Sequence, residues 1–101
     1  MAKVTGVMRR IQVSTTFKKK VNAQAAWYLK HRGTSFANTM TANLQNDVFS
    51  LASMPSIGRK YKVINGHQYY SFPSKKKADI IYRYDDQTLY IADVVFYFAK
   101  K

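Results

Sequence analysis

The chain has 101 residues, enough for one domain with a single modest core, and 47% of them are hydrophobic, so it should fold on its own. It has no cysteine, which excludes a disulfide framework and any thiolate metal site, and its two histidines, His31 and His67, lack ligand-like spacing. Seventeen Lys and Arg oppose five acids, all Asp, for a formal charge of +12, and self-repulsion of that size points to an anionic partner.

No early segment reads as a signal peptide, and no apolar run approaches a membrane span, so a cytoplasmic setting is expected. The basic residues do not share one amphipathic helix with a large apolar face, which argues against a membrane surface. Residues 1–8 carry little pattern and read as a loose N-terminal arm. Arg9 to Ser14 alternates and predicts a short strand.

From Thr16 the period changes. Phe17, Val21, Ala25, Tyr28 and Leu29 recur at helical spacing, and Gly33 supplies a stop. A second helix is predicted from Thr34 or Ser35 as N-cap, with Phe36, Met40, Leu44, Val48 and Leu51 as its apolar stripe, ending over 54–58. So short a link makes the two helices an antiparallel hairpin, and both stripes read as core.

Strands follow. Tyr61–Ile64, Asn65-Gly66 and His67–Phe72 form a strong hairpin signal, because Asn-Gly accepts the positive φ of a type I′ turn. Residues 73–77 read as a basic loop, Ala78–Tyr84 as a strand and 85–87 as a turn. The last strand, from Leu89 to about Phe98, is apolar on both faces and therefore central. The fold class is α+β, in the order β-α-α-β-β-β-β: one antiparallel-rich sheet with a helical hairpin on one face, in a single domain spanning 1–101.

A two-residue turn at Asn65-Gly66 would pair Lys62 with Tyr69 and Tyr61 with Tyr70. One face would then hold Tyr61, Val63, Tyr70 and Phe72 in the core. The other would carry Lys60, Lys62, His67 and Tyr69, where lysines beside an aromatic can hold phosphate and stack a base, or form an ordinary solvated face. Lys18, Lys19 and Lys20 fall in the expected first turn of a helix, where the macrodipole disfavours cations; they suit an anionic surface, unless the helix starts elsewhere or the charges are merely solvated. Lys75, Lys76 and Lys77 form either a phosphate-contacting loop or a generic exposed turn. Arg59 and Lys100 extend the nucleic-acid-binding set.

Several enzyme classes are excluded. There is no glycine-rich phosphate loop, no Gly-x-Ser-x-Gly and no Glu for a carboxylate pair. Asp85-Asp86 is explained by turn propensity, and neither metal nor cofactor is expected. A metal-independent nuclease remains open, since basic side chains can orient a 2′-hydroxyl and stabilise charge on phosphate.

The order of elements, with Leu51-to-Pro55-to-Gly58-Arg59, Ile80-Ile81-Tyr82-Arg83-Tyr84 and Leu89-Tyr90-Ile91-Ala92-Asp93-Val94-Val95, resembles the RelE/ParE superfamily of type II toxin–antitoxin toxins from about Arg9 onward. The resemblance implies a growth-arresting toxin neutralised by a cognate acidic antitoxin. RelE-like members cleave mRNA on the ribosome; ParE-like members inhibit DNA gyrase. By that likeness Lys60, Lys62, Arg83 and Tyr97 are the catalytic set. Asp79 falls near where the family places a second Arg, and no Tyr or His tail follows unless Tyr97 serves. Ribosome-dependent mRNA cleavage is the leading expectation, with gyrase inhibition, or a basic nucleic-acid-binding module of a mobile element, as alternatives.

Overall fold

A computed structural model describes residues 9–75 and 77–97. The N-terminal arm, Lys76, Phe98 and Lys100 lie outside the described residues. The elements are β1 (Arg10–Val13), α1 (Thr15–Arg32), α2 (Thr34–Ser53), a single 3-10 turn (Pro55–Ile57), β2 (Arg59–Ile64), β3 (His67–Ser74), β4 (Ala78–Tyr84) and β5 (Thr88–Phe96). They form the α+β architecture expected: a five-stranded sheet in the order β1-β5-β4-β3-β2, with the helical hairpin on one face. β1 joins β5 in parallel, Ile11 opposite Leu89, and all other neighbours are antiparallel. No helix among the described residues is long and apolar enough to cross a membrane.

The helix starts differ from expectation for local reasons. Ser14 caps α1, its Oγ accepting the Phe17 N–H at 3.0 Å, and its own hydroxyl donates to the Ala92 carbonyl at 2.6 Å. Since α1 begins at Thr15, Lys18–Lys20 are its fourth to sixth residues and escape most of the unfavourable dipole. At α2 the cap position is Gly33, at φ 96°, rather than Thr34 or Ser35. Gly33 closes α1 by donating to the Tyr28 carbonyl while opening α2, a reversal that a residue with a Cβ would resist.

The core lies between hairpin and sheet. Phe17 and Tyr28 of α1 and Met40, Leu44, Val48 and Leu51 of α2 meet Ile80, Tyr82, Leu89, Ile91 and Val94 of the two central strands. Leu29, expected inside, is 53% exposed, and Gln24 takes a buried place in α1 instead. The apolar period of α1 is therefore interrupted by a polar residue, with Gln24 Nε2 left without a partner.

The β2–β3 hairpin turns on Asn65 (φ 52°) and Gly66 (φ 81°), both positive as that turn demands. Its register starts as expected, with Ile64 opposite His67 and Val63 opposite Gln68. A bulge then puts Lys60, not Tyr61, opposite Tyr70. Two residues, Tyr61 and Lys62, therefore share the place opposite Tyr69. Tyr61 and Val63 are exposed rather than in the core, because β2 is the sheet's edge and no helix among the described residues covers it. Pro73 is not in a loop but within β3, opposite Asp79.

Tyr82 fixes the link between the layers. Its buried hydroxyl donates to the Pro55 carbonyl at 2.5 Å and accepts the Gly58 N–H at 3.1 Å, joining β4 to the turn that delivers β2.

Candidate functional site on the open sheet face

Because Ile80 and Tyr82 point to the helices, alternation turns Asp79, Ile81 and Arg83 to the opposite face, which no helix covers among the described residues. Strand register carries a row across it. Gln12 of β1 is opposite Tyr90 of β5, and Tyr90 is opposite Arg83 of β4. The β3–β4 register, continued by one pair, brings Tyr69 next, and Tyr61 with Lys62 complete the row at the bulge. Aromatics and cations therefore alternate across the sheet.

Two contacts order this row. The Arg83 guanidinium lies 3.9 Å from the centre of the Tyr90 ring, and the Lys62 ammonium 5.0 Å from that of Tyr61. Each such contact is worth on the order of 0.5–1 kcal/mol at an exposed site. Below the Tyr90 end, Asp85 accepts the N–H groups of Gln87 and Thr88 at 2.9 and 2.8 Å, and these bonds hold its carboxyl below the usual range.

A second group lies toward the other end of β4. The Tyr97 hydroxyl donates to the Asp79 carboxylate at 2.6 Å. That bond, then partial burial and the carboxylate's charge, raise the Tyr97 pKa, while the nearby Arg59 opposes them. The Tyr97 hydroxyl is thus held protonated in this setting, with a carboxylate rather than a cation beside it.

Residues 11–95 match the family model for the ParE toxin of the type II toxin–antitoxin system parDE. The chain belongs to the ParE toxin family. Among solved structures, it is similar to the chromosomal ParDE system of P. aeruginosa, at 12% identity and a TM-score of 0.72, covering 88% of this chain and 96% of that one. It is also similar to the E. coli DinJ-YafQ toxin–antitoxin complex, at 14% identity and a TM-score of 0.50, covering 89% and 93%. No curated protein matches the sequence.

In this ParE-family chain the four residues expected to be catalytic are spread over β2, β4 and the position after β5. Lys60 stands opposite Tyr70 and leaves the alternation of Tyr69. Lys62 is at the bulge, Arg83 is stacked on Tyr90, and Tyr97 is engaged by Asp79. Of the nucleic-acid-binding set, Tyr69 joins the row, Arg59 stands opposite Ser71 near Tyr97, and His67 is exposed at the hairpin tip. The others lie elsewhere. Lys18, Lys19 and Lys20 are on α1, Lys20 paired with Asp93 at 2.8 Å. Lys75 and Lys77 flank α2, the Lys77 ammonium 4.8 Å from the Phe36 ring centre. Sequence reasoning missed Tyr90 and Tyr61. Tyr90 was detectable, since it alternates with the buried Leu89 and Ile91; Tyr61 was hidden by the bulge.

Proposed function

We propose that this ParE-family toxin is neutralised by an acidic antitoxin and arrests growth in the cytoplasm by binding DNA gyrase across its open sheet face, not by cutting RNA. The observation that carries the reading is the Tyr97–Asp79 hydrogen bond. Metal-free cleavage needs a base at the 2′-hydroxyl and preorganised cations at the phosphate. Here the Tyr97 hydroxyl is held protonated and so is not available as a base, and its partner is a carboxylate that repels phosphate. The row from Tyr90 to Lys62 is suited to recognition instead, because tyrosine and arginine are enriched among the side chains that dominate binding energy at protein interfaces. An acidic, partly disordered antitoxin segment matches the charge of +12.

The test pairs two assays on purified protein: supercoiling by DNA gyrase, and cleavage of ribosome-bound mRNA. Inhibition of the first with intact mRNA is expected. Cleavage of mRNA with gyrase unaffected would overturn the reading. mRNA cleavage remains the second reading because Arg83 and the tyrosines could also hold a single strand. In that case Lys62→Ala would abolish cutting and leave antitoxin binding nearly unchanged.

A further inference from the structure

On the helical side, away from the open face, α2 and the end of β3 enclose a hollow of about 340 Å³. Its floor is apolar, built from Phe36, Met40, Leu44 and Phe96. Its rim is cationic: Arg32 ends α1, and Lys75 and Lys77 flank the β3–β4 turn. The Arg32 guanidinium and the Lys77 ammonium are held 5.3 and 4.8 Å from the centre of the Phe36 ring, so both charges are positioned in advance. Among the described residues none of the three has an acid within ion-pair distance, the one ion pair being Lys20–Asp93. The nearby Asp47 carboxylate is already engaged, accepting the Ser74 hydroxyl at 2.5 Å.

We propose that this hollow is an anchor site for an acidic peptide, receiving one large apolar side chain while Arg32, Lys75 and Lys77 meet the carboxylates beside it. The floor specifies the apolar element, since burying such a side chain is the main gain an uncharged lining can offer. A methionine in the floor lets the site adapt to the side chain's shape. The rim specifies the charge. A nucleic acid fits less well, because the Phe36 ring already has two cations and the Tyr28 ring, 4.7 Å away, against it, leaving little of its face for a base. The choice of an acidic peptide rests on the proposed antitoxin-neutralised toxin. The site adds that the anchor lies apart from the face proposed to meet the target, so neutralisation and toxicity are separable by mutation.

The experiment measures fluorescence anisotropy of a labelled twelve-residue peptide of Asp and Glu with one central Phe, titrated with the full chain. Its controls are the same peptide with Ala for Phe, and a single-stranded oligonucleotide of equal charge. The Phe peptide is expected to bind about tenfold or more tightly than the Ala peptide, and to keep that margin as salt rises. Thr39→Trp, at an exposed position on the wall of the hollow, should erase the margin by filling it. Arg32→Glu combined with Lys77→Glu should weaken both peptides. Equal affinity for the two peptides, an unchanged margin in Thr39→Trp, or oligonucleotide binding that Thr39→Trp abolishes would each overturn the proposal. Growth arrest by the Thr39→Trp protein is expected to persist. Failure of the unmutated protein to arrest growth would count against the toxin reading and leave the peptide result standing.

Discussion

The Tyr82 hydroxyl sits where a Cβ on Gly58 would fall, 2.1 Å from it, with the Ser71 carbonyl a further 2.9 Å contact. Gly58 is thus required by close approach and not by backbone angle, its φ of −79° being ordinary. Gly58→Ala should destabilise the fold by about 1–3 kcal/mol through overpacking, read from the midpoint of urea unfolding.

Tyr82→Phe tests the same joint from the other side. It leaves the Pro55 carbonyl and the Gly58 N–H without their partner, at a cost of roughly 1–3 kcal/mol. A loss under half a kcal/mol in urea unfolding would mean that water replaces the hydroxyl.

Burial, the largest cause, pushes the Tyr82 hydroxyl up to about 12 from an ordinary 10.0. A group with a raised folded value contributes its stability fully below the unfolded value. That contribution should be intact up to about pH 10 and fall away as pH rises toward 12, by on the order of 2 kcal/mol. Thermal melts across this range should show a steeper alkaline decline for the natural protein than for Tyr82→Phe.

On the open face, Arg83→Ala and Tyr90→Ala should each weaken growth arrest while leaving thermal stability within about 1 kcal/mol, since the stacked pair is only half-buried. Tyr97→Phe should leave toxicity near its original level under the gyrase reading. Loss of arrest in Tyr97→Phe, with the fold intact, would restore Tyr97 to the chemistry.

The Lys20–Asp93 pair is about half exposed on the lysine side, so Lys20→Ala should cost less than about 1 kcal/mol and less still at high salt. Denaturant unfolding at two ionic strengths measures both.

Where one local rule governed, the chain was legible. The Asn65-Gly66 turn, the α2 stripe and the central position of β5 all follow from period and turn chemistry. The failures have a common cause in residues that answer to tertiary neighbours. Gly33 serves two helices, so neither cap pattern alone finds it. The β2 bulge adds one residue between Lys60 and Val63, and every face assignment before it inverts. The candidate site suffered most from that inversion, since Lys60 and Tyr61 exchanged faces. Arg83 and Tyr69 survived because their strands are paired on both sides.

The parallel pairing of β1 with β5 sets the order in which the protein can be made. Ser14 donates to the carbonyl of Ala92, 78 residues later, and Arg10 to Val13 find their partners at Thr88 to Ile91. Hairpins β2–β3 and β3–β4 can form as they leave the ribosome, but β1 must wait for β5. Contacts of such separation close slowly, after local structure has formed. A nascent chain therefore cannot complete its sheet until almost all of this domain has been translated.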